Sequence, residues 1–426
     1  MLPAPRSLHS VLRGRTTELN SFGFILPVIP WLIIAFSCGS YYLALRLVMP
    51  RTLGTNGNTT IRELPTTSII VPTYNECKTI GAMLRNTMGL AYPSGRIETI
   101  VVDGGSDDGT RDVVDEYVRN GSAKLVTQTK RSGWNDAVRE GLMRANGEIA
   151  VLSGSEVFYE QRAITWLCDH FVDPRVGAVV GKQTLYNAGE SLATQMEREY
   201  RISQDVLMAA ESKIDQPFDV KGEILAVRKW ILERAIERLK YRSSGVLDAC
   251  AAYETRAQGM RLVFEPRATY SEYAPRSIPE RLGMQVRRGK ILIESTLPYL
   301  WMVWNPRFGK FGTMIFPFHL FLLVAIPWLF FVGWISFFIG ALSNPLYLMI
   351  LSLPIAVSLS RRGRTLLSSF TMAQVSLAIA MGLIVINKNL TIKRIDSTRR
   401  IPKNEVDVKK ASSVSTLSGL QVDGNS

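Results

Sequence analysis

The chain has 426 residues, which is room for one large domain or two ordinary ones. Its formal net charge is +13, but no run of Lys and Arg interleaved with aromatic residues supports nucleic-acid binding, so no nucleic-acid partner is expected. Four widely spaced cysteines without a CxxC pair argue against both a zinc site and a disulfide framework, and the three histidines lie in no recognisable nucleophile motif.

The first predicted element is an apolar helix close to the amino terminus. Residues 1–21 are polar, whereas residues 22–48 are apolar and carry no charge before Arg46. This stretch is long enough to span a bilayer and too long for a signal peptide, so we expect a retained transmembrane anchor. Because further apolar segments occupy the other end of the chain, its basic excess indicates the cytoplasmic face of a membrane.

From residue 67 onward, short apolar runs rich in β-branched residues alternate with helical patterns. The runs that predict strands are residues 68–71, 97–102, 124–128, 149–152 and 176–180. Helices are predicted among them over residues 80–88, 113–118 and 134–145. This alternation predicts an α/β fold with a doubly wound, mostly parallel sheet, and the continuous apolar runs indicate that both faces of the sheet are covered.

A glycine-rich turn after the second strand is the feature around which the predicted site is arranged. The strand leads into Asp103, and Gly104 and Ser106 belong to the turn before the next helix. A carboxylate at the carboxyl end of a parallel strand points into the crevice where open α/β sheets bind ligands, and glycine lets the backbone approach a ligand closely. The alternative is an ordinary turn in which Asp108 or Thr110 caps the helix.

The second half of the chain changes from α/β alternation to long helical and apolar segments. A helical pattern covers residues 188–212, and Asp248 opens another helix. Residues 280–304 alternate basic and apolar blocks and include tryptophans, a pattern typical of a membrane interface. Three apolar segments follow, at residues 311–342, 345–360 and 366–386. The second of them is short for a membrane crossing.

Five motifs follow one another along the chain. They are VPTYNE at residues 71–76, VVDGGSDDGT at residues 101–110, the glycine-to-arginine segment 222–228, Asp248 followed by Gly259, Arg261 and Pro266, and QVRR at residues 285–288. Together they resemble the motifs of membrane-integral family 2 glycosyltransferases, the last being similar to the family's QxxRW signature. The resemblance implies a GT-A fold with a Rossmann-like nucleotide-binding half and flanking transmembrane helices.

The resemblance also implies a nucleotide-sugar donor and a division of roles among the motifs. The residues predicted to bind substrate are Pro72, Thr73, Asn75, Glu76, Asp103, Gly104, Ser106, Gly222, Gln285, Arg287 and Arg288. Among them, Asp103 and Glu76 are expected at the base and ribose, and the two arginines at the leaving diphosphate. Asp248 is predicted to be the catalytic base for the acceptor hydroxyl. The alternatives are a helix cap at Asp248 and membrane-surface anchors at the arginines.

Two positions depart from the family's pattern. Gly154-Ser155-Glu156 stands where the family usually has Asp-x-Asp, which leaves Glu156 as the candidate ligand for a divalent cation, Mg²⁺ or Mn²⁺. The alternative is that Glu156 is an exposed turn residue. Gly289 stands where the signature ends in Trp. The first departure bears on metal dependence, and the second bears on processive polymerisation.

These features predict a membrane-bound glycosyltransferase that inverts the anomeric configuration, because one base and no carboxylate nucleophile are evident. The expected acceptor is a lipid-linked or growing glycan, and the expected location is a multi-pass one in the cell membrane, with lipid contacts and a cytoplasmic catalytic domain. Predicted boundaries are 66–276 for the GT-A domain, 277–310 for the interfacial segment, 311–388 for the membrane segments and 389–426 for a basic, then disordered tail. A processive polysaccharide synthase and a catalytically weak nucleotide-binding scaffold are the alternative functions.

Overall fold

One mixed β-sheet with helices on both faces forms the centre of the molecule. The computed structural model describes residues 27–48, 63–129, 131–240, 247–344, 346–386 and 396–402. The strands are β1 (Thr67–Thr73), β2 (Ile97–Asp103), β3 (Lys124–Thr127), β4 (Ile149–Leu152), β5 (Phe158–Tyr159), β6 (Val176–Leu185), β7 (Leu225–Arg228) and β8 (Arg261–Glu272). They form an eight-stranded sheet in the order β3-β2-β1-β4-β7-β6-β8-β5.

The helices cover this sheet and continue beyond it at both ends of the chain. They are α1 (Ile29–Val48), α2 (Ile80–Met88), α3 (Thr110–Arg119), α4 (Trp134–Arg144), α5 (Ala163–Asp169), α6 (Leu192–Ile214), α7 (Lys229–Lys240), α8 (Leu247–Ala257), α9 (Ile278–Thr296), α10 (Phe316–Ser343), α11 (Leu346–Leu359) and α12 (Arg361–Val385). The predicted polar segment 1–21 lies outside the described residues.

The half of the sheet around β1 is parallel. β1 pairs with β2 and β4, and β2 pairs with β3, so the carboxyl ends of these strands share one edge. Successive residues of β1 enter opposite cores, because Ile70 joins Val138 of α4 whereas Ile69 joins Ile80 of α2. A Cβ on Gly141 of α4 would lie 2.6 Å from Ile70 Cγ2, so this helix approaches the sheet through glycine. The predicted α/β sheet with two covered faces is confirmed.

The other half of the sheet reverses its direction at β7. This strand is antiparallel to both β4 and β6, β6 and β8 are parallel, and β5 pairs with β8 in antiparallel fashion. The sheet is therefore mixed, with its parallel pairing concentrated around β1. The strand predicted over 176–180 extends to Leu185, and it is the sixth strand because β5 precedes it. A strand of two residues is too short to show any periodicity in the sequence.

Apolar helices from the two ends of the chain pack against one another. Within the described residues, two helices are long and apolar enough to cross a membrane, Phe311–Leu342 and Arg361–Val385, and Ile29–Leu45 is a shorter apolar helix. Trp31 of α1 packs edge-on against Phe330 of α10, with ring centroids 5.6 Å apart. The predicted segment 345–360 corresponds to α11. Residue 345, which precedes this helix, lies outside the described residues.

The basic helix α9 is packed against α6 and α12. Ser277 and Glu280 begin it with a capping box, in which each side chain accepts the backbone N–H of the other residue. Gln285 and Gly289 are buried, and a Cβ on Gly289 would lie 3.1 Å from Leu377 Cδ2 of α12. A tryptophan side chain has no space there unless α12 moves. Any larger side chain at position 289 would therefore press on Leu377.

Candidate active site

Two loops at the carboxyl ends of β1 and β2 are joined by hydrogen bonds. The Asn75 N–H donates to Ser106 Oγ at 2.9 Å, and the Glu76 N–H donates to Thr110 Oγ1 at 2.8 Å. Asn75 Nδ2 donates to Asp107 Oδ1 at 2.7 Å, and the Asp107 N–H donates to Asn75 Oδ1 at 3.0 Å. Asn75 has a φ of 55°, a left-handed conformation that asparagine tolerates better than most residues. The two loops therefore form one connected unit.

Asp103 is fully buried, and its carboxylate organises the turn after β2. It accepts the backbone N–H groups of Gly105 and Ser106, each at 3.1 Å. Arg111 Nε donates to the same carboxylate at 2.7 Å. Asp103 therefore fixes the conformation of the predicted donor-binding turn, whereas its direct contact with a nucleoside stays a prediction.

The end of β1 lies directly beside this carboxylate. In the parallel register Thr73 pairs with Asp103, with Pro72 immediately before it. The Gly104 N–H donates to Thr73 O at 2.8 Å. A Cβ on Gly104 would lie 3.5 Å from that carbonyl oxygen and 3.6 Å from Gln128 Oε1. The predicted residues Pro72, Thr73, Asp103 and Gly104 thus lie together at one edge of the sheet.

Glu156 lies in the turn after β4, with a second carboxylate, that of Glu223, in its surroundings. Burial raises the pKa of the Glu156 carboxyl, the positive charge of Arg399 lowers it, and the negative charge of Glu223 raises it again. Tyr270 Oη donates to Glu223 Oε2 at 3.3 Å, and Tyr159 Oη donates to the Glu223 backbone carbonyl at 3.0 Å. Glu223 belongs to the third motif, but no role is predicted for it from sequence.

The described residues contain no group of three or more His, Cys, Asp or Glu side chains arranged to hold a metal ion. Glu156 by itself could supply one carboxylate oxygen. Mg²⁺ commonly binds proteins through one or two carboxylates and completes its shell with phosphate and water oxygens. The residues present therefore fit a cation that arrives together with a phosphate-bearing ligand.

Asp248 lies in the first turn of α8, beside Gly222. A Cβ on Gly222 would lie 2.2 Å from Asp248 Oδ2, so glycine leaves the room that this carboxylate needs. The Ala249 N–H donates to Asp248 Oδ1 at 2.7 Å. Burial, followed by the negative charge of Glu223, raises the pKa of Asp248 to about 7. Such a carboxyl group exchanges protons near neutral pH, as a general base must.

One buried carboxylate, that of Glu197 in α6, binds the arginine-rich motif of α9. Arg288 Nη1 donates to Glu197 Oε1 at 2.8 Å, and Gln285 Nε2 donates to Glu197 Oε2 at 3.1 Å. Arg201 Nε and Arg281 Nε lie 3.0 and 3.3 Å from the same carboxylate. Burial raises the pKa of Glu197, but the positive charges of these arginines lower it to about 2. Gln285 and Arg288 are thereby fixed to α6.

Arg287 shares Glu272 with Arg288, whose Nη2 lies 3.9 Å from Glu272 Oε1, but it also faces Glu223 and Glu156. Burial and the positive charge of Arg288 lower the pKa of Arg287, whereas Glu223, Glu156 and Glu272 raise it. Burial and the charge of Glu223 also raise the pKa of Glu272. Arg287 therefore lies among the charges of Glu156, Glu223 and Glu272.

Two further residues of the site come from the tail after α12. Arg399 forms an ion pair with Glu76, and Thr398 Oγ1 donates to Glu156 Oε2 at 3.4 Å. No local pattern in the sequence indicates these contacts. Within the tail predicted to be disordered, the structure describes residues 396–402, of which Thr398 and Arg399 contact the site. Residues 389–395 and 403–426 lie outside the described residues.

The fold has a solved counterpart. The mannosyltransferase PcManGT from Pyrobaculum calidifontis, in complex with GDP-Man and Mn²⁺, is similar with a TM-score of 0.68 and 23% identity, over 85% of this chain and 100% of that one. The shared architecture is that of the GT-A fold. Residues 68–234 match the family described as Glycosyl transferase family 2. The matched segment is less than half of the chain and identifies a family 2 glycosyltransferase domain within it.

Curated relatives agree with this assignment. The probable glycosyltransferase YdaM of Bacillus subtilis (strain 168) is 29% identical over 180 residues, which are 41% of this chain and 43% of that protein. The poly-beta-1,6-N-acetyl-D-glucosamine synthase of Staphylococcus aureus (strain COL) is 22% identical over 268 residues, 62% of this chain and 63% of the relative. The chain thus spans less than two thirds of the length of either relative.

Proposed function

We propose that the chain is a membrane-bound inverting glycosyltransferase, which transfers a sugar from a nucleotide-sugar donor to a lipid-linked or growing glycan. The observation that carries this proposal is Asp248, whose carboxyl pKa is raised to about 7 and whose position is kept open by Gly222. In this reaction the acceptor oxygen bonds to the anomeric carbon, the bond to the diphosphate breaks, and Asp248 takes the proton of the acceptor hydroxyl. A single displacement inverts the anomeric configuration.

The donor would bind across the carboxyl ends of the parallel strands, where open α/β sheets bind their ligands. Its nucleoside would lie against the joined loops that carry Asn75, Glu76 and Asp103. Its diphosphate would lie toward Arg287, whose charge balances the negative charge that develops on the leaving group. The similar mannosyltransferase from Pyrobaculum calidifontis was solved with a nucleotide sugar of this class, which supports the assignment.

A divalent cation, Mg²⁺ or Mn²⁺, would be held by Glu156 together with diphosphate and water oxygens. The negative charge of Glu223 near Glu156 favours a cation at this place. When bound, the cation neutralises charge on the leaving diphosphate. Mn²⁺ in the similar mannosyltransferase supports the requirement for a divalent ion.

The organisation proposed is a GT-A domain over residues 66–276, an anchor before it and membrane segments after it, with the domain at the cytoplasmic face. Two helices of sufficient length and apolarity support the membrane location. A processive polysaccharide synthase is the second candidate, and similarity to the staphylococcal poly-beta-1,6-N-acetyl-D-glucosamine synthase favours it. Against it, Leu377 packs at the position where the family's tryptophan would stand.

A donor screen tests the proposal. Full-length protein in detergent would be incubated with Mn²⁺, a panel of UDP- and GDP-sugars and membrane lipid extract, and release of nucleoside diphosphate would be measured. We expect release with one donor class in the wild type and not in the Asp248→Asn variant. Product length on a gel separates single addition from polymerisation. Nucleotide binding without turnover of any donor would instead support the scaffold alternative.

A further inference from the structure

The strongest unassigned feature is the segment of residues 396–402, here called the C-terminal strap, which lies on the proposed donor site. The Arg399 guanidinium is paired with the Glu76 carboxylate, and Arg399 Nη1 donates to Asn75 O at 3.2 Å. The pair is largely shielded from solvent, since the exposed fractions of the two side chains are 20% and 7%. This ion pair joins the strap to the loop after β1.

The rest of the strap contacts two more elements of the same site. Thr398 Oγ1 donates to Glu156 Oε2 at 3.4 Å, in the turn after β4. Ser397 Oγ donates to Glu280 Oε2 at 3.0 Å, in the first turn of α9. The strap thus extends from the loop after β1 to the start of α9, across the carboxyl edge of the sheet.

These contacts use the groups that the proposed function assigns to the donor and its cation. The Glu76 carboxylate has Arg399 at Oε1 and the Thr79 hydroxyl at Oε2, the latter at 3.2 Å. One Glu156 oxygen accepts a hydrogen bond from the Thr398 hydroxyl, and the positive charge of Arg399 acts on the same carboxylate. A ribose at Glu76 and a cation at Glu156 would need the same carboxylates, with the donor in the space between them.

We propose that the C-terminal strap and the nucleoside diphosphate part of the donor bind this site in mutually exclusive fashion. In the absence of donor, Arg399 pairs with Glu76 and, together with Arg287, places positive charge near Glu156. A nucleoside diphosphate with its cation brings charge of its own and displaces the strap. The strap is therefore an internal competitor of the donor, and this inference rests on the proposed donor class.

The expected change in the apparent Kd of the nucleotide follows from the fraction of molecules in which the strap is undocked and the site is open. The apparent Kd of a ligand equals its intrinsic Kd divided by that fraction, so a strap docked in about nine molecules of ten weakens binding about tenfold. Removing the Arg399 contact should recover this factor. A residue that instead bound the diphosphate would change Kd in the opposite direction.

Calorimetry on full-length protein in detergent shows whether the substitution lowers or raises the Kd of the nucleotide. UDP and GDP serve as probes in the presence of Mn²⁺. We expect Arg399→Ala to lower the Kd of the nucleotide that binds by about tenfold. Arg400→Ala removes the same charge one position further along and serves as the matched control, with a Kd within about twofold of wild type. Weaker or unchanged binding by Arg399→Ala would overturn the proposal. If neither nucleotide bound to either protein, the donor site itself would be refuted.

Hydrogen exchange of the strap amides tests docking without relying on nucleotide affinity. In the absence of nucleotide, amides of residues 397–401 should exchange more slowly in the wild type than in Arg399→Ala. Adding the binding nucleotide with Mn²⁺ should speed their exchange in the wild type, because the strap leaves. Slower exchange on addition would mean that strap and nucleotide bind together, which contradicts mutual exclusion.

Discussion

Replacing Gly222 by alanine tests whether the geometry around Asp248 produces catalysis. The new Cβ would lie 2.2 Å from Asp248 Oδ2, whereas ordinary contacts begin at 3.4 Å, so the carboxylate must move by about 1.2 Å. A misplacement of about 1 Å at a reacting group typically costs on the order of 10²-fold in rate. We therefore expect Gly222→Ala to lower kcat about 10²-fold. The Kd of the nucleoside diphosphate should stay within a few fold, because the loops of β1 and β2 are not involved.

The assay is release of nucleoside diphosphate at saturating donor, together with calorimetry for nucleotide binding. Gly283→Ala is the matched control, because Gly283 lies in α9 with no atom within 4 Å of its added Cβ. That variant should keep full turnover and gain up to about 1 kcal/mol of stability from helix propensity. Wild-type turnover in a folded Gly222→Ala protein would refute the assignment of Asp248 as the base.

Asp248→Asn should lower turnover by about 10²–10⁴-fold with little change in nucleotide affinity. In the wild type, kcat/KM should fall as the pH drops through about 7, because the base acts only when it is ionised. A profile flat from pH 6 to 8 would contradict this. Asp103→Ala should weaken nucleotide binding in calorimetry, because the turn loses the acceptor of the Gly105 and Ser106 N–H groups; unchanged affinity would remove Asp103 from the site. Glu156→Gln should raise the Mn²⁺ concentration for half-maximal turnover, and Glu156→Asp should be better tolerated; full activity in chelator would leave the diphosphate charge to Arg287.

The sign of the Asp248 shift also predicts an effect on stability. Its pKa is higher in the folded protein than the ordinary value of 3.8, so folding favours the protonated form. The stabilising contribution of that form is complete below about pH 3.8 and is lost as the pH rises through about 7. At pH 8 the buried, ionised carboxylate therefore destabilises the fold.

Three strands of the parallel part of the sheet, β1, β2 and β4, could be predicted because they are mostly buried apolar runs. β1 and β2 carry four or more consecutive apolar or β-branched residues, and β4 begins and ends at the predicted positions. β5 could not be found, because two residues carry no periodicity. The reversal at β7 was not predictable either, since a short apolar run does not reveal the direction of its neighbours.

Candidate site residues could be proposed from the sequence where they belong to recognisable motifs. They could not be proposed where only packing brings them together. Asp248, Glu156 and Asp103 are visible in motifs, whereas the reason for Gly222 appears only when α8 brings Asp248 against it. The contact between Arg399 and Asn75 joins residues 324 positions apart, and no local pattern records such a distance. Charge clusters of this kind are properties of the folded chain.

The departure at Gly154 has a physical explanation in the same cluster. A Cβ on Gly154 would lie 3.9 Å from Glu223 Cγ and 3.4 Å from Val157 Cγ2. An aspartate at this position would place its carboxylate beside that of Glu223, close to Glu156, and like charges at short range disfavour ionisation of one another. Glycine at 154 leaves this space to Glu223, whose carboxylate accepts a hydrogen bond from the Tyr270 hydroxyl. The first carboxylate of the family's pattern is thus absent at a position that the 3₁₀ turn before β7 approaches with the side chain of Glu223.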